Sequence, residues 1–314
     1  PELSKWNPFC VHDAHSSSIM SSSSFLSSKL LYRFIYFNTR GAGELCRLTL
    51  VTSGAAWEDV RYPMALASSG FSYGPEFQRD VQMGAFDINM GSLPILQLVQ
   101  YQDTNNNDDD NSKTPMMTLV DTLGQSHSIA KFVARQHGMA GNDSLEQAKI
   151  DALYECCRDV QTQWYRIKRK KGGKESWFSN SKSNSNLPHD KEDDSDGAKK
   201  TPAEDDMRSR QYTLHEYCER LEKAISAATG QRAMGSPWCM GGPDPSLADI
   251  SIYHLLGTPA PSIVTGSVPS FFDGESSRVQ QAYASCPRLV ESITAFGELQ
   301  AVREWEKLRP ETFN

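Results

Sequence analysis

The period of the hydrophobic positions changes once along the chain, close to residue 140. Before it, short apolar runs alternate with helical stretches. Leu31-Tyr32-Arg33-Phe34-Ile35-Tyr36-Phe37 is apolar, aromatic and of strand length. Asn38-Thr39-Arg40-Gly41 supplies turn residues, and Leu45, Leu48, Thr49 and Thr52 then fall at helical spacing within Glu44–Ser53, with Gly54 as the stop. The pattern predicts a second strand over Trp57–Tyr62 and a short helix over Pro75–Val81 with proline at its start. It predicts strands over Leu93–Val99 and Met117–Leu123, then a helix over Ser126–Gln136 with Ile129, Phe132 and Val133 on one face. That order implies an open sheet covered by helices.

After Gly141 only the helical period recurs. Ile150, Leu153, Tyr154, Cys157, Val160 and Trp164 mark a helix over Leu145–Arg169; Leu214, Tyr217, Cys218, Leu221 and Ile225 mark another over Tyr212–Ala228. Shorter helices are expected over Leu247–Leu256, Arg278–Ala284, Arg288–Phe296 and Gln300–Leu308. The expected architecture is an α/β domain over residues 29–138 and an all-α domain over 143–314. Residues 1–28 fall outside both, as a disordered tail or a targeting segment; serine richness with few acids suits a transit peptide. Asp103–Lys113 is too polar to bury and reads as a loop insert. Lys168 to about Asp206 is lysine-rich, then serine- and acid-rich, and reads as a disordered insert that cannot offset its ordering entropy by burial.

Composition removes several function classes. The formal net charge is −7, which argues against nucleic-acid and anionic-lipid partners. No window approaches the ~18 apolar residues of a membrane span. The seven cysteines are odd in number and lack a framework spacing, so a disulfide-stapled secreted domain is not expected. With no C-x-x-C pair and dispersed histidines, no metal site is expected either. A reduced, cytoplasmic location follows.

Four segments carry a family resemblance. Tyr36-Phe37-Asn38-Thr39-Arg40-Gly41-Ala42-Gly43-Glu44 resembles the first-strand segment of sigma-class glutathione transferases, the class that includes the glutathione-dependent prostaglandin D synthases. Leu93-Pro94-Ile95-Leu96 resembles the family's proline-entered strand. Gln125-Ser126-His127-Ser128-Ile129-Ala130-Lys131-Phe132 resembles the segment that grips the glutamyl end of glutathione. Ser246-Leu247-Ala248-Asp249 resembles the N-capping box of the central helix of its second domain. The segments occur in the family's order. The fold so implied is a thioredoxin-like α/β domain followed by an all-α domain. The activity implied is conjugation of glutathione to small apolar electrophiles, as in detoxification. Glutathione would be the co-substrate, with no further cofactor, and the assembly a homodimer.

Each segment has a chemical use. A thiol with an unperturbed pKa near ~8.5 is mostly protonated at neutral pH. A hydroxyl donating to the ionised sulfur contributes roughly 1.5–3 kcal/mol, or about one to two pKa units. By resemblance Tyr36 is that donor, beside a helix N-terminus whose dipole also favours the anion. Leu93, before a cis Pro94, would pair its backbone with the cysteinyl amide. Gln125 and Ser126 would hold the glutamyl end where a helix offers free N–H groups. Tyr73 and Arg79 are the candidates for the glycyl carboxylate, and Asp159 for the glutamyl ammonium of a partner subunit's ligand. Ser246 and Asp249 are structural.

Two departures from the family pattern matter. Ala42 stands where sigma-class proteins usually carry an arginine that helps hold the thiolate; Arg40 is the neighbour that could compensate. Ser92 replaces a lysine often found before the proline strand. Three other readings stay open. A thiol-disulfide oxidoreductase would need a cysteine at the end of the first strand, where Tyr36 and Phe37 stand. A glutathione-dependent isomerase would share the thiol site and differ in the electrophile pocket, expected around Tyr154, Val160, Trp164 and Tyr165. A non-catalytic relative, like the lens crystallins derived from this class, would suit Ala42.

Overall fold

The structure is a computed structural model and describes residues 29–67, 70–102, 116–168, 177, 212–229, 235–257, 272 and 275–309. The expected tail 1–28, the insert 103–113 and nearly all of the second insert lie outside these residues. The chain divides into two compact units, Pro1–His137 with Leu308–Asn314, and Gly138–Lys307. Leu308 and Arg309, at the end of the described residues, group with the first unit.

In the first unit, β1 (Lys29–Phe37), β2 (Trp57–Tyr62), β5 (Ile95–Gln102) and β6 (Met116–Gly124) form one sheet in the order β2-β1-β5-β6. β1 runs parallel to β2 and antiparallel to β5, and β5 is antiparallel to β6, with a bulge between Leu98 and Val99. β1 is interior, with one face buried at Tyr32, Phe34 and Tyr36 and the other half-buried apart from Ile35, which suits its nearly unbroken apolar run. Tyr32, Phe34 and Tyr36 point to one face; Ile35 points to the other, into a cluster with Phe86 and Ile95 packed by Val60, Tyr62, Phe77, Val81 and Leu93. Helices α1 (Gly43–Ser53) and α3 (Ser126–Gln136) pack against each other; α2 (Pro75–Gln82) and the 3-10 turn Asp87–Asn89 contribute Phe77, Val81 and Phe86 to and beside the Ile35 cluster.

A hairpin of β3 (Met64–Ala67) and β4 (Gly70–Tyr73) precedes α2, in a stretch to which the sequence pattern assigned no element. Each strand is only four residues long and holds no β-branched residue, so the local sequence marks them weakly.

The second unit is built on α4 (Ser144–Lys168), α5 (Leu214–Thr229), α6 (Leu247–Leu256), α7 (Ser276–Tyr283), α8 (Pro287–Gly297) and α9 (Gln300–Leu308). Every residue of α6 except His254 is buried, and α4 and α8 pack on it. Its start is fixed by Asp249, which has no exposure. One carboxylate oxygen accepts from Ser246 N (2.9 Å) and Ser246 Oγ (2.7 Å); the other accepts from Cys239 N and Ser292 Oγ (both 2.8 Å). The capping box is therefore also a link to α8 and to the loop before α6.

One residue well inside the second insert is described. Trp177, inside the stretch expected to be disordered, is 2% exposed, with its ring centroid 6.2 Å from that of Trp164 and 5.3 Å from that of Tyr217. Phe272 closes on Trp164 edge-on at 5.2 Å. A window-averaged composition hides a single buried indole.

Two stability measurements test this account. Asp249→Ala leaves four buried donors without an acceptor and should cost about 3 kcal/mol or more in urea unfolding. Trp177→Ala should cost roughly 3–5 kcal/mol by the same measurement, whereas a solvated linker residue would cost nothing detectable.

Candidate functional site

The site in the first unit begins where β1 ends. Phe34 and Tyr36 stack with centroids 6.3 Å apart, and the guanidinium of Arg47, on α1, lies 5.4 Å and 5.5 Å from the two ring centres. Arg47 has no exposure. Its Nε donates to both oxygens of Asp59 (3.2 and 3.1 Å), Nη1 to Thr39 O (2.7 Å) and Nη2 to Phe37 O (3.2 Å). Glu44 lies 3.9 Å from Nη1 and accepts from Arg309 at 2.7 Å. The turn Asn38–Ala42 is thus pinned from beneath by a cation that ties β1, β2 and α1 together.

Tyr36 is 8% exposed, with its ring laid along that turn. A Cβ at Gly43 would fall 2.4 Å from Tyr36 Cδ1, so glycine is what lets the ring lie there. Its Oη accepts a hydrogen bond of 3.2 Å from Ala42 N, at the N-terminus of α1. A phenol that accepts on one lone pair still donates its own proton, and accepting makes that proton more acidic. The arrangement suits a donor to an anion and needs no side chain at position 42. Ala42 itself is exposed.

The other half of the site lies across the ends of β5 and β6. The Leu93–Pro94 peptide is cis. Gln125, at the N-cap of α3, has φ 67°, a left-handed value that few non-glycine residues adopt. Its Nε2 donates to Asn89 Oδ1 at 2.7 Å, which fixes the orientation of the side-chain amide. Ser126 is the first residue of α3 and is buried, and its carbonyl accepts from the Cys46 thiol at 3.2 Å. Burial pushes the Cys46 thiol up to about 12, against a smaller opposing pull from Arg47. Cys46 is a packed donor, which leaves the oxidoreductase reading without a reactive thiol beside β1.

Tyr73 is half-exposed, with its ring 5.0 Å from Phe37 and 5.3 Å from Phe77; Phe37 is 5.6 Å from Tyr36. An aromatic run therefore connects Tyr73 to the Tyr36 ring. Arg79 is largely exposed and turns its Nε to Asp80 at 3.1 Å. Asp80 also accepts from Tyr62 Oη at 2.5 Å. Burial and this bond raise the Tyr62 hydroxyl, and the same bond lowers the Asp80 carboxyl. Asp159 is exposed on α4, in the other unit, and no ion pair joins it among the described residues.

Two residues of the site escaped sequence reasoning. Arg47 sits on a helix read as amphipathic, yet Gly43–Leu50 is buried throughout; the only signal was the Glu44/Arg47 pair at i, i+3. Asn89 looked like an ordinary loop residue. Among the described residues no group of three His, Cys, Asp or Glu is placed to hold a metal, and no helix is long and apolar enough to cross a membrane.

No family model matches the chain. The class-mu 28 kDa glutathione S-transferase isozyme of Schistosoma japonicum is 28% identical over 134 residues, 43% of this chain and 51% of that protein. S-crystallin 2 of Octopus vulgaris is 22% identical over 228 residues, 73% of this chain and 80% of that one. The hematopoietic prostaglandin D synthase of Gallus gallus is 27% identical over 128 residues, 41% and 47% of the two chains. Several of these matches span only about half of the relative's length. Among solved structures, the glutathione S-transferase of Ascaris lumbricoides matches with a TM-score of 0.52 at 20% identity, over 90% of this chain and 98% of that one. The sigma-class transferase of Fasciola hepatica matches with a TM-score of 0.50 at 15% identity, over the same shares. The chain has the glutathione transferase fold, a thioredoxin-like unit and a helical unit, and resembles glutathione transferases, S-crystallins and a prostaglandin D synthase in sequence.

Proposed function

We propose that the first unit binds glutathione and that Tyr36 ionises its thiol for transfer to small apolar electrophiles. The observation that carries this reading is the placement of Tyr36: a buried ring at the end of β1 whose Oη accepts from Ala42 N at a helix N-terminus. In the proposed complex the thiolate sits in front of that hydroxyl. Leu93 offers its backbone to the cysteinyl amide, and Ser126 with the free N–H groups of α3 takes the glutamyl carboxylate. Gln125, whose amide is oriented by Asn89, pairs with the glutamyl backbone. Tyr73 is favoured over Arg79 for the glycyl end, since it joins the aromatic run that includes Tyr36. We further propose a cytoplasmic homodimer in which Asp159 reaches the ammonium of the partner's ligand.

The similarity to S-crystallin 2, together with Ala42 in place of the usual arginine, favours a second reading in which the fold is kept without turnover. Conjugation of a generic aryl halide separates the two. Isomerisation of a prostaglandin endoperoxide would place the chain with the synthases instead.

The thiol test is Tyr36→Phe. Glutathione should still bind, while its thiolate absorbance moves up by about one to two pH units and kcat at neutral pH falls roughly 10- to 100-fold. The sign follows from the loss of a donor that favours the anion. Ala42→Arg should move the thiolate titration the other way. An unchanged titration in Tyr36→Phe means that another group ionises the sulfur.

Assembly is tested with a mixed dimer of one Tyr36→Phe and one Asp159→Ala subunit, each homodimer being impaired. If Asp159 acts across the interface, one site carries both defects and the other is intact, so about half the wild-type activity remains. If it acts within its own chain, each site carries one defect and activity falls well below half.

A further inference from the structure

The two segments proposed to hold glutathione, Leu93–Pro94 and Gln125–Ser126, are separated by some thirty residues of sequence; the β5–β6 ladder brings their strand ends together at Ile95 and Gly124, and one side chain ties the segments themselves. Asn89 is 3% exposed at the end of the 3-10 turn. Its Nδ2 donates to Ser92 O (3.0 Å) and to Pro94 O (3.1 Å), and its Oδ1 accepts from Gln125 Nε2 (2.7 Å). Both N–H groups and the carbonyl oxygen are therefore used, and every partner flanks a proposed ligand contact. Met90 and Gly91, at φ 56° and 72°, bend the chain back so that the carbonyls of Ser92 and Pro94 face the amide. From the other side, the Asn89 side chain lies so close to Gly124 that a Cβ there would fall 2.7 Å from Asn89 Cβ.

We propose that Asn89 is a positioning residue for glutathione: it fixes the gap between the Leu93–Pro94 segment and the start of α3, so that one peptide ligand is gripped at its cysteinyl and glutamyl ends together. The inference rests on the glutathione reading above. Asparagine is the residue that fits. Aspartate would set a carboxylate against two carbonyl oxygens, alanine would leave both carbonyls and the Gln125 amide unpaired, and glutamine would carry its amide past them. The penalty of misplacement falls on binding because a ligand spanning two mis-set grips can satisfy only one. Thiol activation, which depends on Tyr36 and the α1 turn, is untouched.

The experiment is calorimetric titration of glutathione into wild type, Asn89→Ala and Asn89→Asp, with thermal unfolding and the bound-thiolate titration in parallel. Both variants should weaken Kd by about tenfold or more. The bound thiol should titrate as in wild type, the opposite split from Tyr36→Phe. In a Gln125→Ala background, Asn89→Ala should weaken binding far less than it does alone, since the bridge is already broken. If the alanine variant does not fold, Asn89→Ser, which keeps a hydroxyl in place, should show a smaller loss of the same kind. A folded variant with lower unfolding temperature and wild-type affinity overturns the proposal and leaves the glutathione reading standing. Absence of glutathione binding by wild type overturns both.

Discussion

The ion pair between Arg47 and Asp59 is the constraint on which the first unit turns. A guanidinium with no exposure has lost its hydration, and a lone buried charge of that kind costs several kcal/mol. Here the loss is offset by four hydrogen bonds, a second carboxylate and two ring faces. Those partners belong to β1, its turn, α1 and β2, so the cation can be satisfied only when the parallel β1–β2 pair and the first helix are all in place. Tyr36 inherits its position from this arrangement. Its ring is held between the Arg47 guanidinium, the Phe34 ring and the Gly43 backbone.

The second unit solves a similar problem with the opposite charge. Asp249, fully buried, collects four donors from the start of α6, the loop before it and α8. In each unit one buried charged group joins segments far apart in sequence. Such groups are poor sources of net stability, since apolar residues of the same shape can do as well, but a misregistered fold leaves them unpaired. They specify where helices begin, and in the first unit a helix start is where the proposed chemistry takes place.

Much of this was legible in the sequence, and the limits were physical. Long periodic segments announced themselves: the aromatic run of β1, the Ile129–Val133 face of α3 and the apolar stripes of α4 and α5 all lie where the period puts them. The strand entered through Pro94 and the capping box at Ser246 were readable because each rests on one local rule. The β3–β4 hairpin was not, because its strands are short and hold no β-branched residue. Trp177 was lost in a polar window. Arg47 and Asn89 were hidden for another reason: a charge or an amide in a sequence looks solvated until its partners are known, and Asp59 and Gln125 come from other elements. Sequence reasoning named the groups proposed to touch a ligand and missed those that hold them.

The thiol of Cys46 bears on the redox life of the protein. Six cysteines fall among the described residues, and five of them are buried; Cys156 alone is exposed. Burial raises the thiols of Cys46, Cys157, Cys218 and Cys239, and for Cys156 the carboxylate of Asp159 adds to the same effect. A protonated, packed thiol exchanges poorly with disulfides, because the thiolate is the attacking species. For a protein proposed to keep a thiolate in its site, that is protection against itself. Oxidised ligand arriving at the Tyr36 turn would find the Cys46 thiol protonated and spent on the Ser126 carbonyl, so Cys46 should resist capture in a mixed disulfide.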